Sequence, residues 1–302
     1  MLCRPCSCKS RTLTDNASLV RRPEVHIVPP TTSIDHTAEL SALNAALGAH
    51  ASAFAVEWIA ACESSNTELL GRDLPGDERL HVLVVDRQLA GRGRRGREWQ
   101  SFDGGSLTFS VQWRLPPAGT APQGLSLVVG LAVARALEDS GVSGVQLKWP
   151  NDVLVHGRKI AGILIELVAR QGRTAAAVIG IGINLRLPEG VRIPGQAAVT
   201  DLRHELGDGA PDRAGLLAAI LSQLRGLLET YAAAGFGALR GAWEQRNAFA
   251  DLPVRISGDA GSACGACIGV DDDGALLLHT EQGARRILSG DVSLRPMPGG
   301  QA

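Results

Sequence analysis

Four arginines fall within seven residues at Gly91-Arg92-Gly93-Arg94-Arg95-Gly96-Arg97, followed by Glu98 and Trp99. Guanidinium groups donate in pairs to carboxylate or phosphate, and glycines free backbone N–H groups to converge on the same anion. Self-repulsion among the four cations predicts a loop that stays disordered until an anion arrives. The same composition suits a solvated basic surface loop or a nucleic-acid contact, and spacing alone does not choose. The run satisfies G-x-G-x-x-G literally. A dinucleotide fold needs the third glycine to open a helix, however, and here Trp99, Phe102 and Asp103-Gly104-Gly105 lead into a strand.

A second cluster is Lys148-Trp149-Pro150-Asn151-Asp152, whose proline rules out a helix through it. It reads either as a rigid corner presenting Asp152 to a polar substrate or metal, or as an Asx-type turn with Trp149 in the core. Only three of the 30 basic residues are lysine, at 9, 148 and 159. Lys159 precedes Ala161-Gly162, where small residues let a ligand approach the backbone, and its ammonium is a compact charge for oxygens that develop negative charge. Gly180-Ile181-Gly182-Ile183-Asn184 places glycine at alternate positions of one strand face, which suits the floor of a flat pocket or a bulge. Ser64, Ser65 and Asn66 read as helix caps or as a cradle for a small polar ring.

Other chemistries are closed. No lysine follows a glycine, so a P-loop is impossible, and neither H-E-x-x-H nor G-x-S-x-G occurs. Cys264 and Cys267 form a lone C-x-x-C with no second pair or nearby histidines; no metal ligand set is assigned to them or to Cys3, Cys6 and Cys8. Thirty basic against 31 acidic residues give a net charge of -1, so no global field draws the chain to nucleic acid or an anionic membrane. The longest apolar stretch, Leu125 to Leu137, contains Arg135 and falls short of the roughly 20 residues a membrane span needs. With sparse cysteines and no secretory leader pattern, the chain reads as cytoplasmic.

The elements that must position these groups follow from periodicity. Residues 1 to 35 read as an irregular extension. A helix is expected at Ala38 to Leu47, a strand at Ala55 to Ile59, and a helix from Ser65, where Ser65 and Glu68 make a capping box. Strands follow at His81 to Val85 and Leu107 to Trp113, then a helix over Gln123 to Asp139 lying across a sheet. Val153 to Val155 and Ile160 to Val168 form a hairpin, Ala176 to Leu185 another strand, and residues 212 to 233 and 239 to 247 helices. Five short strand-like runs near 253, 267, 276, 286 and 293 suggest a small all-β barrel.

Taken in order, Glu63-Ser64-Ser65-Asn66, the Gln88 to Arg97 segment, Lys148-Trp149-Pro150-Asn151-Asp152, Lys159-Ile160-Ala161-Gly162-Ile163-Leu164-Ile165-Glu166 and Gly180-Ile181-Gly182-Ile183-Asn184 resemble biotin protein ligases. Gly274 to Leu278 and Gly290 to Arg295 are similar to that family's last domain. The resemblance implies an α+β fold: a mixed β-sheet backed by helices, class II synthetase-like, over 36–248, then a small SH3-like β-barrel over 249–296.

It also implies a ligase that joins biotin to AMP from Mg-ATP and passes it to a lysine of a biotin carboxyl carrier protein, the acetyl-CoA carboxylase subunit. Biotin, ATP and Mg2+ enter as substrates, with no prosthetic group. By resemblance, Ser64, Ser65, Asn66 and Gln88 bind the ureido ring, and Gly91, Arg92, Gly93 and Arg94 close over the ligand. Arg94 and Lys159 neutralise carboxylate and phosphate oxygens. Asp152 orients the incoming amine or Mg. Trp99, Gly162, Gly180 and Gly182 line the slot for the biotin rings, and Arg95, Arg97 and Asn184 lie on the nucleotide side with Arg94 and Lys159. A lipoate-type acyl transferase and a biotin-sensing repressor are the alternatives; the stretch before Ser64 has no room for a helix-turn-helix, so no nucleic acid is expected. A homodimer is left open.

Overall fold

The computed structural model describes residues 35–74, 76–116, 122–170, 173–194, 196, 198–258, 261–288 and 293–296. The expected extension, with Cys3, Cys6, Cys8 and Lys9, lies outside these residues apart from Asp35, as do Gly290, Asp291 and Val292.

Helix α1 (Thr37–Leu47) leads into β1 (Phe54–Cys62), α2 (Ser65–Gly71), β2 (Leu80–Gln88) and β3 (Ser106–Arg114). After α3 (Leu125–Asp139) come β4 (Val145–Lys148), β5 (Asp152–Val155), β6 (Arg158–Arg170) and β7 (Arg173–Asn184), then α4 (Leu202–Leu206), α5 (Arg213–Ala234) and α6 (Arg240–Glu244). The seven strands form one sheet in the order β1-β2-β3-β7-β6-β5-β4. Only the β1–β2 pair is parallel, which makes the sheet mixed.

Period-two alternation sorts the two faces. Leu107, Phe109 and Val111 of β3 and Ile179, Ile181 and Ile183 of β7 join the large core shared with α1, α3 and α5. Thr108, Ser110 and Gln112, paired with Gly182, Gly180 and Val178, look the other way, toward α2. Helix α3 is buried on most faces because it lies between the sheet and α5. Helix α5 starts where the Asp212 carboxylate accepts from Gly215 N–H at 2.7 Å. The same end is tied to the sheet by Arg213, which pairs with buried Asp86 at 2.7 Å and stacks on Trp58, whose indole N–H donates to Asp86 at 3.0 Å.

A bulge decides where Lys159 points. In the β5–β6 ladder Asp152 faces Gly162 and Val153 faces Ala161, but Leu154 then faces Lys159, skipping Ile160. Ile160 and Ala161 therefore both enter the core, and Lys159 returns to the face that carries Gly162. Strict alternation would have put Lys159 with Ala161 and Ile163 beneath the helices.

The remaining strands, β8 (Pro253–Gly258), β9 (Gly261–Val270), β10 (Leu276–Thr280), β11 (Gly283–Ile287) and β12 (Ser293–Pro296), make an antiparallel sheet in the order β11-β10-β9-β8-β12. All five expected runs are strands. Among the described residues no ladder joins β11 to β12, so the small SH3-like domain is seen as a sheet without a closing seam. It is fastened to the larger part where the buried Trp149 indole donates to Gly274 O at 2.9 Å.

Candidate functional site

Strand register lines up the chemistry. Lys148, Asp152, Gly162, Gly182 and Thr108 occupy successive cross-strand positions from β4 to β3, so all five share one face. The adjacent row on that face is Leu164, Gly180 and Ser110. The two β7 glycines are required there by close approach. A Cβ on Gly182 would overlap the Trp99 indole, and one on Gly180 would overlap the Asn66 amide. At Gly162 a Cβ would lie 3.2 Å from Lys159 Nζ and 3.3 Å from Trp99 Cζ3.

At one end of the cleft the start of α2 supplies polar atoms. Ser64, Ser65 and Asn66 are each buried. Gln88 Oε1 accepts from Ser65 N–H at 2.8 Å and from its hydroxyl at 3.1 Å. Ser110 Oγ donates to Asn66 Oδ1 at 2.6 Å and lies 2.7 Å from Ser65 Oγ. The expected capping box is not formed. The N-cap is Ser64, with no side-chain cap bond, while the Ser65 hydroxyl turns to Gln88 and Glu68 pairs with Arg72. Tertiary partners on β2 and β3 outcompete the local cap.

Opposite lie the cations. Lys159 Nζ is 2.7 Å from Asp152 Oδ1, and Lys148 Nζ is 3.6 Å from Asp152 Oδ2, so one carboxylate holds both ammonium groups. Lys159 Nζ also lies 5.9 Å from the Trp99 ring centre. The arginine loop crosses above, its path drawn by its own backbone bonds. Gly93 N–H donates to Arg97 O at 2.7 Å, Trp99 N–H to Gly91 O at 2.9 Å, and Arg92 and Glu98 form a bridge around a short turn at Arg94–Gly96. Arg92 donates to the Glu166 carboxylate at 2.7 Å, which offsets part of the repulsion, and Arg94 donates to Asn151 at 3.4 Å.

Of the expected residues, Ser64, Ser65, Asn66, Gln88, Arg92, Gly93, Arg94, Arg95, Arg97, Trp99, Asp152, Lys159, Gly162, Gly180 and Gly182 all line this cleft. Two do not. Gly91, at the start of the loop, is buried against the Trp99 backbone, where a Cβ would overlap Trp99 O. Asn184 is buried, and its amide donates to Thr200 O at 3.0 Å. It thereby holds the 198–200 segment against Lys159, whose backbone exchanges bonds with Ala198 and Thr200 at 3.1 and 2.9 Å. Lys148, Glu98, Asn151 and Gln196 join the wall without having been assigned a role. At the 148–152 corner the Trp149 indole is core and Asp152 lines the cleft, while the Asn151 amide donates to Ile163 O at 2.9 Å. Among the described residues no group of three His, Cys, Asp or Glu side chains is placed to cage a metal; Cys264 is exposed and Cys267 buried.

Cys62 borders the cradle at the end of β1, and burial, with the charge of Glu68 second, pushes its thiol up to about 11. Its carboxymethylation at pH 8 should therefore run on the order of 10²-fold below that of an ordinary thiol and rise about tenfold per pH unit toward 11. Peptide mass spectrometry of the labelled protein reads this directly, and rapid labelling at pH 8 would refute it.

Comparison with known proteins agrees with the geometry. The biotin/lipoate A/B protein ligase family model matches residues 59–184, and the biotin protein ligase C terminal domain matches 253–295. The biotin--[acetyl-CoA-carboxylase] ligase of Paracoccus denitrificans is 33% identical over 78% of this chain and 98% of its own. The bifunctional ligase/repressor BirA of Escherichia coli is 36% identical over 77% of this chain and 72% of its own. A biotin protein ligase from Aquifex aeolicus, solved in complex with biotin and ATP, superposes with a TM-score of 0.69 at 32% identity, covering 80% of this chain and 99% of that one. With both segments matched and the glycine-floored cleft built from the first of them, the chain belongs to the biotin protein ligase family.

Proposed function

We propose that this ligase condenses biotin with ATP in the cleft to give biotinyl-5'-AMP and transfers the biotinyl group to a lysine of a biotin carboxyl carrier protein. The observation that carries the reading is that one cleft has a neutral hydrogen-bonding cradle at Ser65, Asn66 and Gln88 and cations at Arg94 and Lys159. A ligand with an uncharged polar ring and a distant carboxylate matches that polarity. The cradle takes the ureido ring, while Trp99, Gly162, Gly180 and Gly182 bound the slot for the fused rings.

In the first step a carboxylate oxygen forms a bond to the α-phosphorus and the bond to the β-phosphate oxygen breaks, releasing diphosphate. Two anions must meet, and Arg94 and Lys159 stabilise the charge that accumulates between them. Asp152 holds the Lys159 ammonium over the glycine row until substrate oxygens compete for it. Magnesium arrives with the nucleotide; Asp152 and Glu98 are the carboxylates on the wall, and Asp152 is already engaged by two ammonium groups. In the second step the carrier's lysine amine attacks the acyl carbon, AMP departs, and the amine loses its proton. Arg95 and Arg97 extend the positive surface to the nucleotide side.

Incubation with biotin, MgATP and a carrier domain should yield avidin-reactive carrier, and lipoate in place of biotin should be consumed far more slowly. Folded protein that leaves the carrier unmodified would end the reading.

A further inference from the structure

Glu166 takes no part in the reaction just described, yet it is the meeting point of the two halves of the cleft. It stands on β6 opposite Val178, on the sheet face that carries Gly180 and Ser110. One oxygen, Oε2, accepts from Arg92 Nη2 at 2.7 Å and from Asn66 Nδ2 at 2.9 Å. Arg92 belongs to the loop and Asn66 to the ring cradle, and Asn66 Oδ1 is taken by Ser110 Oγ.

We propose that Glu166 is a positioning residue that anchors the arginine loop over the cleft and couples its placement to the ring cradle, an inference that rests on the biotin-activating reading of the site. The 91–98 segment carries four arginines and one glutamate, and Arg92 takes its carboxylate partner from outside the segment. Glu166 supplies it from a rigid strand. The Glu166 and Arg92 side chains are 25% and 42% exposed, which leaves the pair open to salt but drier than a free surface bridge. Because the same oxygen serves Asn66, a ring that takes over the Asn66 amide N–H releases that oxygen to Arg92 alone. Cradle occupancy and loop placement are thereby linked through one carboxylate.

Glu166→Gln tests this cleanly, since it keeps an oxygen for Asn66 and removes only the charge facing Arg92. Hydrogen exchange of the ligand-free full chain should speed up across residues 91–97 roughly fivefold, the scale of a part-exposed ion pair, with exchange in α3 unchanged. The KM for biotin should rise by a similar factor while kcat stays within twofold, and Glu166→Asp should fall between. In the unmodified chain, raising salt from low to high should accelerate exchange of 91–97, and the acceleration should vanish in Glu166→Gln. Unchanged loop exchange in the variant, a loop indifferent to salt, or a kcat that falls as far as KM rises would each overturn the proposal. These exchange measurements need no substrate, whereas carrier modification by the unmodified chain tests the underlying activity, so the two failures are separable.

Discussion

Lys159→Ala is expected to slow diphosphate release from biotin and ATP by about 10²–10³-fold, the usual effect of deleting a group aimed at charge that develops in the transition state. The ammonium is fixed from two sides, by Asp152 at 2.7 Å and by a backbone shared with Ala198 and Thr200. It therefore reorganises little when substrate oxygens arrive. Deleting it also leaves Asp152 with Lys148 alone as its cationic partner in this row, and the under-compensated carboxylate then repels both substrates. Lys159→Ala with Asp152→Asn should consequently lose less than the sum of the single losses, a coupling that a double-mutant cycle measures. Lys159→Arg should recover only part of the rate, because the planar guanidinium is wider than the ammonium beside Gly162. A loss below tenfold for Lys159→Ala would remove this residue from the chemistry.

Gly182→Ala should weaken biotin binding by roughly two orders of magnitude and lower stability by about 1–3 kcal/mol, since the added methyl overlaps the Trp99 ring and the site is already packed. The indole must leave the glycine row, and with it goes one wall of the slot. Calorimetric titration with biotin and thermal unfolding read the two effects separately. If the overlap is the cause, Gly182→Ala combined with Trp99→Ala should regain most of the stability but not the affinity. Equal Kd values for Gly182→Ala and the parent chain would refute the assignment of this face.

Much of this site could be read from the sequence because its signals are local. Alternate glycines in a strand imply a neighbour against that face, and Trp99 and Asn66 lie there. Clustered arginines imply an anion, and the loop lines the cleft. What escaped was non-local. The four residues of β4, Val-Gln-Leu-Lys, are too few to declare a strand without their partner β5. The bulge at Ile160 leaves no trace in the hydrophobic pattern, since Ile160 and Ala161 are apolar in either register. Glu166 ended one of the stretches that carry the resemblance but received no role, because its partners Arg92 and Asn66 lie 74 and 100 positions away. Asn184 was placed on the nucleotide side by resemblance alone; in the structure it is buried, with its amide donating to Thr200 O. The Ser65 capping motif was formally present and was overridden by Gln88.

The bond from Trp149 to Gly274 makes the small terminal sheet a structural member of the reaction centre. Its turn presses so closely on the start of α3 that a Cβ on Gly274 would come within 2.7 Å of Gly124 Cα, leaving no space for a side chain between them. A shortened chain ending near residue 250 would strand a buried indole N–H directly before Pro150 and Asp152. Anyone seeking a minimal biotinylating tool from this scaffold must therefore keep its last strands, and a reporter is better fused beyond them than substituted for them.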